Sequence, residues 1–94
     1  MGVITNVRSI IQSMHAMWSE SREWRTGQNN AYAVASHWKQ SNLFFSQYAL
    51  GEAVELVSRI ESNPKNVEDL REAFGYAYQM LKFWEDCYSP EDDT

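Results

Sequence analysis

From Gly27 to Leu50 the chain carries one formal charge, Lys39, and five aromatic side chains, Tyr32, Trp38, Phe44, Phe45 and Tyr48. A stretch that long, nearly uncharged and rich in rings, belongs either inside a helical core or against another protein. Outside it, charged and apolar residues are interspersed as in ordinary water-facing helices. The feature constrains where the folding energy lies and names no activity.

The periodicity is helical throughout. Val7, Ile10, Ile11, Met14, Met17, Trp18, Ser21 and Trp24 recur at 3,4 spacing, with only Ser21 breaking the apolar stripe. Thr5 or Asn6 caps the start, and Gly27 with Asn29 and Asn30 ends the run in a turn, which predicts a first helix over about 6–25. A second apolar face runs through Val34, Trp38, Phe45, Ala49, Ala53, Val57 and Ile60. It predicts one helix of roughly 32 residues, or two helices broken near Gln40–Asn42, where Ser and Asn interrupt the stripe. The continuous, kinked form is the preferred expectation. Leu43, Phe44, Phe45, Tyr48, Ala49 and Leu50 make that helix apolar on nearly every side, as in a helix surrounded by others.

Pro64 is the strongest break, and Asn66 is a good N-cap for a third helix from Val67 to about Tyr88, with Glu68 and Asp69 in its first turn. Gly75 inside it costs about 1 kcal/mol relative to Ala, and a close helix crossing explains its presence. No run of alternating β-branched residues competes. The expected fold is all-α: a small bundle of three long helices, the central one kinked or broken into two, completed by homodimerisation. Residues 1–88 form one domain and 89–94 an acidic disordered tail.

Size makes a partner plausible in physical terms. A domain of 94 residues buries only about 60–65% of its unfolded surface. An overhanging second helix lined by Tyr32, Val34 and Trp38, together with Phe44, Phe45 and Tyr48, would expose apolar surface in a monomer and hide it in a dimer. Those six are the expected interface residues.

Net charge is −5 and unevenly spread: residues 1–50 carry +2 and residues 51–94 carry −7. Phosphate backbones and anionic lipids repel such a chain, so direct nucleic-acid binding and membrane association are disfavoured while basic partners are not. Cys87 is the single cysteine, which excludes a disulfide framework and a cysteine metal site. The segment Met1–Asn6 does not read as a signal peptide, and Asn6 departs from the N-myristoylation pattern. No apolar run reaches 18 residues. The expectation is a cytoplasmic protein.

Catalytic constellations are sparse. His15 lies off the first stripe and reads as a solvated histidine; His37 beside Trp38 reads as a structural one. Cys87 has Glu85, Asp86 and Tyr88 as neighbours, and negative charge raises a thiol's pKa. There is no Gly-rich phosphate loop and no nucleophile elbow. Glu52 with Glu55, and Glu68 with Glu72, sit at helical spacing and are the candidate metal ligands, because paired carboxylates on facing helices suit Mg²⁺. Glu52-Ala53-Val54-Glu55 resembles the E-x-x-E of the MazG-like all-α nucleoside triphosphate pyrophosphatases. Their second motif, E-x-x-D, is matched at Glu68, but Arg71 stands where the family has Asp. That resemblance implies metal-dependent nucleotide hydrolysis. Arg8 and His15 fit the Arg-x(4–6)-His spacing of the HEPN ribonuclease-like helical family, on a first helix rather than a late one.

The preferred reading is a non-enzymatic, self-associating protein-interaction module that needs no cofactor. Its alternatives are an acidic inhibitor of phage or mobile-element type that mimics nucleic acid, and a divergent MazG-like pyrophosphatase.

Overall fold

A computed structural model describes residues 2–37, 42–62 and 66–88, and within them all regular structure is helical. Four helices follow one another: α1 (Gly2–Trp18), α2 (Arg22–Ala35), α3 (Asn42–Ser62) and α4 (Val67–Tyr88). Two differences from the expected three helices have local causes. The first apolar stripe is not one helix over 6–25, because Ser21 breaks it. Its hydroxyl donates to the Trp18 carbonyl at 2.8 Å and accepts from the Trp24 N–H at 3.2 Å, so one side chain ends α1 and caps α2. The residue that interrupts the stripe is the hinge between the helices.

The second difference lies at Gly27, Asn29 and Asn30, expected as a turn and found inside α2. Tertiary packing overrides the low helix propensity of these residues. α2 then ends at Ala35: Ser36 donates its N–H to Tyr32 and its hydroxyl to Ala33, and His37 N–H bonds Val34. The preferred continuous helix from about Asn30 to Ser62 is thus absent. A helix ending at Ala35 and another starting at Asn42 give the broken form, the first piece ending at Ala35 and not near Gln40. Trp38 lies outside the described residues, as does the tail 89–94. So do the side chains of Phe44 and Cys87.

α4 forms as the sequence indicates. Asn66 accepts the Asp69 N–H at 2.8 Å as N-cap, with Glu68 and Asp69 at the positive end of the helix dipole. At 22 residues it spans about 33 Å. It, and not the ring-rich segment, is the central helix: α1, α2 and α3 each lie against it. Ring and polar contacts give the directions. Arg8 meets Glu85 and Trp18 meets Phe74, so α1 runs antiparallel to α4. Phe45 meets Phe83 and Glu52 meets Tyr76, so α3 is also antiparallel. Glu23 meets Arg71, Gln28 meets Gln79 and Tyr32 meets Phe83, so α2 runs in the same sense as α4. The chain is an up-down-up-down bundle.

Glycine makes the α2–α4 approach possible. A Cβ on Gly27 would overlap the Glu72 carbonyl oxygen and lie 2.7 Å from the Tyr76 nitrogen. One on Gly75 would overlap the Trp24 carbonyl oxygen and lie 2.9 Å from its carbon. The two backbones therefore touch at a pair of glycines, the close crossing expected for Gly75. Around it the core closes: Trp24, Ile11, Met80, Leu81 and Val57 are fully buried, and α3 contributes the stripe Phe45, Ala49, Ala53 and Val57. The radius of gyration, 13.0 Å, is that of a compact globule of about 100 residues.

Candidate functional site

α3 and α4 form an antiparallel hairpin, and beside Asn30 of α2 their facing sides leave a cleft of about 460 Å³. Helical spacing builds it. Glu52, Leu56, Arg59 and Ile60 lie along one side of α3; Asp69, Leu70, Glu72, Ala73 and Tyr76 lie along the facing side of α4. Leu56, Ile60, Leu70 and Ala73 supply apolar surface, and Asn30, Glu52, Arg59, Asp69, Glu72 and Tyr76 supply polar groups.

Two of the carboxylates are held in place. The Tyr76 hydroxyl donates to Glu52 across the helix pair at 3.3 Å, and the Asn30 amide donates to Glu72 at 3.0 Å. Burial, and then the charge of Glu52, push the Tyr76 phenol well above tyrosine's ordinary range, so Tyr76 stays a neutral donor. Both carboxylates are thus fixed by neutral groups, which orient them without cancelling their charge. Among the described residues, three acids and one base, Arg59, line the cleft.

Of the four candidate metal ligands, Glu52 and Glu72 line this cleft and Glu55 and Glu68 do not. Among the described residues no three His, Cys, Asp or Glu side chains gather as a metal cluster. Arg71, which stands where the pyrophosphatase motif has Asp, pairs with Glu23 of α2 at 3.5 Å and lies over the Trp18 ring. It ties three helices together. Asn30, Tyr76, Arg59 and Asp69 were missed as site residues. The available signal was that Glu52, Leu56, Arg59 and Ile60 before Pro64, and Asp69, Ala73 and Tyr76 after it, share faces of the two arms of one hairpin.

The expected interface residues differ in exposure. Tyr32 is 55% exposed and sets its ring edge-on to Phe83 at 5.2 Å. Tyr48 is 37% exposed and Val34 half-buried. Phe45 is buried against Phe83 and Tyr48, and so belongs to the core of the single chain. The remaining two, Trp38 and the Phe44 side chain, are outside the described residues.

His15 is not a solvated histidine. It is half-buried, stacked on Tyr78 at 4.5 Å and edge-on to Trp24 at 5.6 Å. The face it occupies is covered because Tyr78 extends the packed strip of α4 beyond the apolar stripe of α1. Its fellow in the HEPN-like spacing, Arg8, is engaged elsewhere, reaching Glu85 at 2.6 Å. No described helix is long and apolar enough to cross a membrane. No family model, curated protein or solved structure matches this chain.

Proposed function

We propose that this chain is a non-enzymatic protein-interaction module that self-associates through the ring-bearing edge of α2 and α3. The observation that carries this reading is Tyr32, 55% exposed at the margin of the cluster it forms with Phe83 and Phe45. An aromatic ring half in water beside a packed aromatic cluster is the kind of group that anchors interfaces, because it offers a large area at small entropic cost. Tyr48 adds a second partly exposed ring from α3. In this reading two copies bring these edges together about a twofold axis.

Light scattering of the full chain across a concentration series tests the proposal. The expected mass is twice 11.0 kDa, reduced toward the monomer by Tyr32→Ser with the thermal transition retained. A single-chain mass at every concentration would overturn it.

A further inference from the structure

The cleft between α3 and α4 carries a second reading that does not depend on self-association. We infer that it is a docking site for a basic, amphipathic helical segment of a partner protein, which sets apolar side chains on Leu56, Ile60 and Leu70 and its lysines or arginines on Glu52 and Glu72. Three features point to that occupant. Among the described residues that line the cleft, three acids face one base, in a chain of net charge −5. Glu52 and Glu72 accept hydrogen bonds from a phenol and an amide, so each keeps its charge for an incoming cation. Each is already oriented, so less conformational entropy is lost when that cation arrives.

The apolar surface argues against a merely solvated acidic face. Leu56 and Ile60 are one turn apart on α3, with Leu70 and Ala73 facing them from α4. A groove walled by two helices takes the apolar face of a third, with anchors spaced i and i+4. A purely polar cation would leave that surface wet. A purely apolar peptide would bury the carboxylates without a counter-charge. Acidic segments meet net repulsion.

Fluorescence anisotropy with the full-length chain tests this. The probe is a labelled Leu/Lys amphipathic helix of about 15 residues, long enough to hold helix when bound. Binding should weaken about fivefold or more with Glu52→Gln and again with Glu72→Gln, and fall as salt rises. Glu20→Gln, an exposed acid outside the cleft, should leave it unchanged. Melting of each variant verifies that the fold persists. Equal loss with Glu20→Gln, equal binding of a Ser/Lys peptide or of a Leu/Glu peptide, or no binding of the Leu/Lys helix would each overturn the proposal.

Discussion

Replacing Gly75 by Ala puts a methyl group where the backbone of Trp24 already lies. The added carbon would overlap the Trp24 carbonyl oxygen, with the carbonyl carbon at 2.9 Å and the α-carbon at 3.0 Å. Carbon atoms rest at about 3.5–4.0 Å, so α2 and α4 must part by roughly 1 Å. A gap of that size forfeits a quarter to a half of each dispersion contact along the crossing. No side-chain rotation relieves it, because the obstacle is main chain. Overpacking of this kind costs about 3 kcal/mol, at the upper end of its usual range. The better helix propensity of Ala returns about 1 kcal/mol. The net loss is about 2 kcal/mol, a fall of about 8–16 °C in melting temperature for a domain of this size. Gly51 is the internal control. It is exposed in α3, and a Cβ there meets nothing within 4 Å. Gly51→Ala should therefore raise the transition by about 4–8 °C, from helix propensity alone. Circular dichroism melts of both variants and the parent decide the matter. If Gly75→Ala melts at or above the parent temperature, the close-crossing argument is wrong.

Other substitutions probe the remaining contacts. Ser21→Ala removes the cap of α2 and should cost about 1 kcal/mol, whereas Ser21→Asp should retain most of it, as read from urea midpoints. Tyr76 holds its proton more tightly in the folded state. Its contribution is complete below the ordinary tyrosine pKa of about 10 and is lost as pH rises beyond it, because the unfolded chain then ionises while the folded one does not. Urea midpoints taken from neutral to strongly alkaline pH should thus fall for the parent, and fall less for Tyr76→Phe. An identical slope in the two proteins would count against that assignment. Arg8→Ala removes an ion pair whose arginine side chain is half exposed; the loss should stay below about 1 kcal/mol and shrink at high salt, where a larger or salt-independent change would show that the pair matters more than its exposure implies.

Much of the candidate site was legible as composition but not as geometry. Glu52 and Glu72 stood out as carboxylates at helical spacing, and both line the cleft. Glu55 and Glu68 stood out equally, and both are exposed away from it. Spacing along one helix says which residues are neighbours there. It does not say which of them faces the next helix. Asn30 shows the same limit: its preference for turns was plain, and its actual role is to hold Glu72 from a neighbouring helix.

The sequence by itself determined the all-helical class, the start of α4 at the Asn66 cap, the need for a close crossing at Gly75, and the apolar stripes that become the core. These follow from periodicity and capping, which are properties of contiguous residues. Tertiary structure decided the rest. Gly27 is a turn former until the Glu72 carbonyl comes within reach of where its Cβ would be; then it is the residue that lets two backbones meet. His15 is a surface residue until Tyr78 stacks on it. The ring-rich segment had the composition of a central helix, yet α4 took that place. α2 approaches it closely at Gly75, and Phe74, Ala77, Met80 and Leu81 of α4 are buried in the core. Which helix a bundle surrounds depends on how closely its neighbours can approach, and that distance is a property of pairs of helices rather than of either sequence alone.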